Sequence, residues 1–318
     1  MASLSPRIDA ATAGQVAAAA AVTCSDRRAS PGRGGVVHGG FWPAAACLAA
    51  VAVTGVPLAG PAATLIATCI FLGGGLPHGA YDIALLARAS RLGLYGLGLA
   101  VGGYVAIATV MAMLWVAAPL IALIVFVAVA AVHFGEDWTM IDEPLLKVAA
   151  GTAIIAAPAI GHPAEVARLF VMMVAGPGGE TVARVLIAVA PVALLVTGVG
   201  IVAAWRTGAR QWATATVLAI SALVLAPPVA GFALFFVFLH SPRHLAAARI
   251  TLGAVSHRWW LATGAAMSLA AGGGWLIFAM GLARHLPADV TAQAFQLLAT
   301  VALPHLAFSR WIEGRLDP

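Results

Sequence analysis

Long apolar blocks, separated by short stretches of Pro, Gly and charged residues, make up most of the chain. About 20 apolar residues are needed for a helix to cross the hydrocarbon core of a bilayer, so the pattern predicts an all-α protein, a polytopic transmembrane helix bundle of about 8–10 spans. We also expect the segment around 162–175 to lie at the membrane interface. The apolar blocks fall at about 41–58, 61–81, 93–115, 117–134, 145–161, 182–204, 211–227, 229–248, 260–282 and 292–310.

The first part of the chain differs from the rest. Residues 1–37 are rich in Ala, Ser, Gly and Arg and contain no sustained apolar run. They lack the 7–15-residue apolar core of a secretory signal. We therefore expect a flexible N-terminal leader over 1–37 and a single transmembrane helical domain over 38–318.

Composition excludes the common soluble classes. Of the 318 residues, 62% are hydrophobic and only 9% are charged. A soluble globular domain has about 25% charged residues, and a disordered chain combines low hydrophobicity with high net charge. The protein is therefore expected to have almost no soluble part.

The net charge of +5 changes the interpretation only slightly, because the basic residues lie singly or in pairs between apolar blocks. That placement is typical of membrane flanks, and we expect no nucleic-acid partner. With ten spans and a cytoplasmic N-terminus, inner segments contain all 17 basic residues except Arg168, Arg184 and Arg284. The bias predicts a multi-pass protein of the cell membrane with both termini in the cytoplasm.

Five of the nine histidines lie within predicted spans or at their ends: His78, His133, His240, His244 and His305. Spans two, four, eight and ten run from outside to inside in this topology, and each of these histidines lies towards the inner end of one of them. A single intramembrane histidine can serve merely as a hydrogen bond between helices. Five at a similar depth favour a shared site.

The histidine spacing indicates a metal centre. His240 and His244 are four residues apart and share one face of a helix, although Pro242 is expected to bend or loosen it. Together with His78 and His133 they offer four neutral nitrogen ligands, which suit Fe(II), Zn(II), Cu or Ni. The chain has no HExxH motif for zinc-dependent hydrolysis. Iron with open positions for dioxygen is the more natural interpretation.

Three acidic residues closely follow two of these histidines along the chain: Asp82, Glu136 and Asp137. Each could hold a ligand imidazole by its second ring nitrogen, reach the metal itself, or be an ordinary charge at a helix end. A di-iron site needs about four carboxylates, more than the predicted spans contain.

Four short motifs surround these histidines: Pro77-His78-Gly79-Ala80 with Asp82, His133-Phe134-Gly135 with an acidic pair, His240-Ser241-Pro242-Arg243-His244, and Pro304-His305. The first four histidines are separated by 55, 107 and 4 residues. This combination resembles the Brp/Blh family, the bacterial and archaeal membrane β-carotene 15,15'-dioxygenases that supply retinal to rhodopsins. The order of the motifs fits the family over nearly all the chain after the leader.

The resemblance implies one Fe(2+) bound by His78, His133, His240 and His244, with His305 in a supporting role. It also implies that O2 splits the central 15,15' double bond of β-carotene to give two molecules of all-trans-retinal. The lipophilic carotenoid would enter an apolar tunnel from the membrane lipids. The product would then be available for hand-over to a rhodopsin.

Two other functions remain open from the sequence. In a bis-histidine haem electron carrier, His78 with His133 or His240 would ligate the haem. In a metal or ion transporter, the inner histidines would form a transit site, and polar groups should continue towards the outer leaflet, where the odd-numbered spans have few. A membrane desaturase would need about eight histidines in several clustered boxes, whereas this chain has one cluster.

Overall fold

The computed structural model describes residues 36–90, 92–282 and 285–316. The predicted leader, 1–37, lies almost entirely outside the described residues. Within the described ranges the regular secondary structure is helical throughout, with no strand, which confirms the predicted all-α class. Thirteen α-helices, one 3-10 helix and one π-helix follow each other along the chain.

Two long helical segments change type along their length, one through a short 3-10 helix and the other through a π-helix. In both, α-helix precedes and follows the altered part without a break. The 3-10 helix is Leu76–Tyr81 and the π-helix is Leu234–His240. The α-helices are α1 (Phe41–Val53), α2 (Pro61–Gly75), α3 (Asp82–Ser90), α4 (Leu94–Ala117), α5 (Pro119–Gly135), α6 (Pro144–Gly161), α7 (Pro163–Val174), α8 (Gly178–Arg206), α9 (Arg210–Leu225), α10 (Pro228–Ala233), α11 (Ser241–Leu252), α12 (His257–Gly281) and α13 (Val290–Leu316).

The ten apolar blocks predicted from the sequence each correspond to an apolar helix or a run of continuous helices. Seven are long and apolar enough to cross a membrane, and the continuous segments Pro61–Ser90 and Pro228–Leu252 count as one each. The other three, α1, α5 and α9, are shorter apolar helices. The segment around 162–175 forms α7. The protein is therefore a multi-pass membrane helix bundle, as predicted.

Proline defines where many of these helices begin. Proline lacks a backbone N–H and has a φ already suited to a helix, so it fits the first helical position, where no intrahelical acceptor is available. The same breakers that divide the sequence into apolar blocks therefore become helix starts. Five helices begin at Pro61, Pro119, Pro144, Pro163 and Pro228.

Small residues let the central helices approach each other closely. Helix α6 packs against α5, α8 and α9. A Cβ atom on Gly151 would collide with the carbonyl oxygen of Ala131 in α5, and one on Gly161 would collide with that of Val224 in α9. Tight backbone contact of this kind is typical of helix packing in lipid, where the hydrophobic effect does not drive helices together.

Two of the histidine-bearing segments are the most enclosed of the seven long apolar helices. In α13, 61% of the residues in its most apolar stretch are buried, and in Pro228–Leu252 the share is 56%. The corresponding share is only 11% in α4 and in α12, whose outer surfaces expose large apolar side chains such as Leu99 and Ile277. The fold thus surrounds the histidines with helices that face lipid.

Candidate metal centre

The structure brings together all five histidines predicted to share a site. His78 lies in the 3-10 helix, His133 near the end of α5, His240 at the end of the π-helix, His244 in the first turn of α11 and His305 within α13. The measured distances between their ring centres range from 4.5 Å for His240 and His244 to 6.0 Å for His78 and His133. Four of the rings are buried, and only His244 is partly exposed.

The His78 ring is positioned by a close contact between two helical segments. Gly75, at the end of α2, has no side chain, and a Cβ there would overlap the Phe236 ring of the π-helix. The His78 Nδ1–H donates a hydrogen bond to the Gly75 carbonyl oxygen. A carbonyl oxygen can only accept, so this bond places the proton on Nδ1 and leaves a lone pair on Nε2.

The His133 ring is fixed by the acidic residue three positions later. Its Nδ1 donates to Oε2 of Glu136 at 3.0 Å. The other oxygen of Glu136 accepts a hydrogen bond at 3.2 Å from Nε of Arg310 in α13. The end of α5 is therefore linked to α13, and the His133 Nε2 is directed into the cluster.

Asp137 organises the His240-Ser241-Pro242-Arg243-His244 motif from 103 residues away in sequence. Its Oδ2 accepts a hydrogen bond at 2.8 Å from Nδ1 of His240. Its Oδ1 lies 3.5 Å from Nε2 of His244 and 3.7 Å from Nε of Arg243. Burial alone would raise the pKa of the Asp137 carboxyl, but the two imidazoles outweigh that effect and the pKa lies below its usual value. The carboxylate is therefore ionised and accepts hydrogen bonds only.

Asp82 performs the same task for His305 across 223 residues of sequence. Its Oδ2 accepts a hydrogen bond at 2.8 Å from the His305 Nδ1. The His305 Nε2 is buried and has no hydrogen-bond partner among the residues that the structure describes. Asp82 thus pairs with a distant histidine, whereas its neighbour in sequence, His78, uses a backbone carbonyl instead.

The closest contact in the cluster indicates what these nitrogens could bind. The Nε2 atoms of His133 and His240 lie 3.1 Å apart. Since both Nδ1 atoms donate to carboxylates, each Nε2 presents a lone pair unless its ring takes up a second proton. Either a shared proton or a metal ion between the two nitrogens would remove the repulsion of the lone pairs. Two nitrogens bound side by side to one metal at about 2.1 Å would be about 3 Å apart.

Two groups of side chains have ligand atoms within 4.8 Å of one another. One consists of His78, His133 and His240, and the other of Asp137, His240 and His244. His240 belongs to both groups. The donor atoms are imidazole nitrogens with one carboxylate, a set that suits a divalent transition metal, and hydrogen bonds to the second ring nitrogens are typical of metal-binding histidines.

A cavity of about 400 Å³ adjoins the histidine cluster. Its walls come from α4, α5, α12 and α13 and are mostly apolar, with His78, His133 and His305 on one side. Tyr104, another wall residue, interacts electrostatically with Asp82. The cluster therefore has direct access to a space that favours an apolar molecule.

Comparison with known proteins supports this geometry. The sequence profile of the family described as Beta-carotene 15,15'-dioxygenase matches residues 68–313, which is most of the chain and includes all five clustered histidines. The chain belongs to this β-carotene 15,15'-dioxygenase family. It is also similar to the probable beta-carotene 15,15'-dioxygenase Blh of Halobacterium salinarum, with 28% identity over 86% of this chain and 90% of that protein. No solved structure matches the chain.

In this member of the β-carotene dioxygenase family, three features of the site were not predicted from the sequence. Every residue has a backbone carbonyl, so no side-chain motif indicates that the Gly75 carbonyl is a hydrogen-bond partner. The pairing of Asp82 with His305 and of Asp137 with His240 joins distant segments, and no local spacing signals it. The cavity walls come partly from α4 and α12, whose apolar sequences look the same whether they line a cavity or face lipid.

Proposed function

We propose that the protein is a β-carotene 15,15'-dioxygenase that uses O2 to split the central double bond of β-carotene. The observation that carries this proposal is a cluster of five imidazoles, four of them buried, beside an apolar cavity in a chain of the β-carotene dioxygenase family. The carbon–carbon double bond at the centre of the C40 hydrocarbon and the O–O bond both break completely, and each half forms one C=O bond. The two atoms of O2 thus account for two molecules of all-trans-retinal.

The proposed metal is Fe(2+), held by His78, His133, His240 and His244. When bound, ferrous iron with open coordination positions supplies the reactivity towards dioxygen that an organic polyene lacks. The neutral imidazoles leave the positive charge of the ion largely uncompensated, and the carboxylate of Asp137, beside His240 and His244, would offset part of it. Asp137 could also contribute an oxygen ligand, since it lies within 4.8 Å of the nitrogens of His240 and His244.

The role of the surrounding protein is to keep these imidazoles oriented. Gly75, Glu136 and Asp137 each accept the Nδ1 proton of one histidine, which fixes the ring and directs its Nε2 inward. Such partners typically contribute a factor of 10–100 to metal affinity. Gly75 and Asp137 are buried with the rings and Glu136 is partly buried, so these acceptors arrange the nitrogens without a metal.

The apolar cavity would position the substrate and exclude water. A polyene has no polar group in mid-chain, so only the shape of its binding site can place the 15,15' bond beside His78 and His133. The cavity lies between α4 and α12, which face lipid on their outer sides. We propose that β-carotene enters from the bilayer between these two helices, and that retinal leaves the same way and can pass to a rhodopsin.

The packing of the rings favours this function over a bis-histidine haem carrier. A porphyrin inserted between two axial histidines must separate all neighbouring side chains by its own width. Here the ring centres of His78, His133 and His240 lie 4.7–6.0 Å apart, which leaves no slot for the macrocycle. An ion transporter needs a polar path, whereas the space beside the histidines is apolar.

The proposal includes a location and a domain organisation. The histidines lie towards the cytoplasmic side of the cell membrane, with both termini in the cytoplasm and residues 38–318 forming one transmembrane domain. The charge bias of the loops supports this orientation. The product would then form near the inner leaflet.

The decisive experiment expresses the full chain in a bacterium that accumulates β-carotene. We expect the cells to lose colour and retinal to appear in their extracts. His240→Ala should abolish both changes, whereas His257→Ala, which alters an exposed histidine at the start of α12, should leave them intact. Persistence of β-carotene in the presence of folded, iron-loaded wild-type protein would contradict the proposed reaction.

A further inference from the structure

We infer that His305 is a metal ligand, the fifth imidazole of the centre, and that Asp82 holds it in place for this purpose. This inference rests on the proposed metal centre and extends it. The motif comparison gave His305 only a supporting role. The structure places its ring beside those of the proposed ligands, although its nitrogens lie outside both groups of ligand atoms within 4.8 Å of one another.

The first support is the hydrogen-bond pattern. His133, His240 and His305 each donate from Nδ1 to a carboxylate, at 3.0, 2.8 and 2.8 Å. In His133 and His240 the opposite nitrogen, Nε2, is directed to the shared centre. His305 makes the same Nδ1 hydrogen bond, so in its neutral form it offers the same lone pair on Nε2.

The second support is that this lone pair has no other use. The His305 Nε2 is buried and unpartnered among the described residues, and a buried polar atom without a partner carries a free-energy cost. The His305 ring centre lies 4.9 Å from that of His133 and 5.0 Å from that of His78. His244, which the motif comparison proposes as a ligand, has its ring centre 5.0 Å from that of His133. A metal ion in the cluster is the partner that would satisfy His305.

The position of His305 would also affect how much of the metal faces the cavity. His305 lines the cavity together with His78 and His133. A fifth imidazole on this side would occupy one of the coordination positions that face the hydrocarbon. The metal would then keep fewer positions open to the cavity than a site with four histidines.

To test whether His305 is a ligand, Co(II) is titrated as a spectroscopic probe into the metal-free full chain in detergent. His305→Ala should weaken Co(II) binding by at least about tenfold, and Asp82→Asn by about 10–100-fold. Loss of a ligand should also change the visible absorption bands of bound Co(II), which strengthen as the coordination number falls. The matched control, His257→Ala, should bind Co(II) with the affinity and spectrum of the wild type.

Rescue separates a ligand from a structural residue. Because His305 borders the cavity, its removal leaves space for free imidazole, which should restore the wild-type spectrum in His305→Ala and have no effect on the wild type. If the alanine variant does not fold, as judged by its elution and melting in detergent, His305→Gln fills the space and serves in the same titration. Wild-type affinity and an unchanged spectrum in the His305 variant would overturn the inference.

Co(II) binding by the His240→Ala variant distinguishes an error in the role of His305 from an error in the proposed metal centre. If His240→Ala loses Co(II) binding while His305→Ala behaves as the wild type, the centre exists and His305 is not a ligand. If His240→Ala binds Co(II) as well as the wild type, the proposed centre itself is wrong.

Discussion

Single residues show how the protein keeps uncharged imidazoles available in an apolar interior. Each of four buried histidines gives its Nδ1 proton to a fixed acceptor: a backbone carbonyl for His78, and a carboxylate for His133, His240 and His305. An imidazole left without such a partner could flip or exchange its proton between the two nitrogens. The acceptors therefore determine which nitrogen is free to bind.

Asp137 provides the sharpest test at this scale, because it serves the whole His240-to-His244 motif. Asp137→Asn keeps the size of the side chain but removes its charge, and the amide can present a donor where His240 needs an acceptor. We expect iron retention to fall about 10–100-fold. The measurement is iron content after dialysis against increasing chelator. Asp142→Asn, at an exposed position in the same loop, is the control and should retain iron like the wild type.

The residue types of this site were predictable, but their pairing was not. Ionisable groups are costly inside a membrane, so five histidines at similar depth indicated a shared centre. Glu136 was a natural partner for His133 because the two residues are one helical turn apart. The partnerships of Asp82 and Asp137 depend on how distant helices meet, which a single sequence does not specify.

Among the helices, the contact between α5 and α6 determines how accurately His133 is placed. Gly151 of α6 touches the backbone of α5 at Ala131, and Gly135 of α5 touches the backbone of α6 at Lys147. His133 lies between these two contacts along α5. Any side chain added at either glycine must push the helices apart and shift the ring.

We therefore predict that Gly151→Ala destabilises the protein. An additional methyl group in a tightly packed interface costs about 1–3 kcal/mol in the free energy of unfolding. The measurement is reversible unfolding in detergent, together with iron content to detect displacement of His133. Gly102→Ala, in the lipid-facing helix α4, adds a methyl group to open space and is expected to be neutral or slightly stabilising. Equal stability of the two variants would contradict the packing argument.

The sequence predicted the helices well because apolar length and proline breaks are direct consequences of crossing a bilayer. It did not predict the 3-10 helix at Leu76–Tyr81 or the π-helix at Leu234–His240. Hydropathy does not distinguish these segments from ordinary helix. Pro242 was the one available signal, since it was expected to loosen its helix, and the π-helix ends two residues before it.

In the whole molecule, the helices that face lipid also form the walls of the cavity. Ala108 of α4 lines the cavity, whereas Ala106 on the same helix is exposed and lies outside the lining. The two positions allow the cavity to be filled without changing the rest of the bundle.

Ala108→Trp is expected to block the cavity and leave the metal centre intact. We predict that retinal formation falls at least about tenfold, because a bulky side chain takes space that the polyene needs, while iron content stays at the wild-type level. The measurement is the rate of retinal formation with detergent-dispersed β-carotene. Ala106→Trp should retain normal activity. Normal activity in Ala108→Trp would mean that the hydrocarbon binds elsewhere.

The partial exposure of His244 bears on how the proposed metal ion could be replaced. The cavity is lined by His78, His133 and His305, whereas the His244 side chain lies outside this lining, is 23% exposed and contacts Asp137. The cluster is therefore reached from an apolar cavity and, separately, at His244. In the proposed centre, a metal ion could exchange at His244 while an apolar molecule fills the cavity.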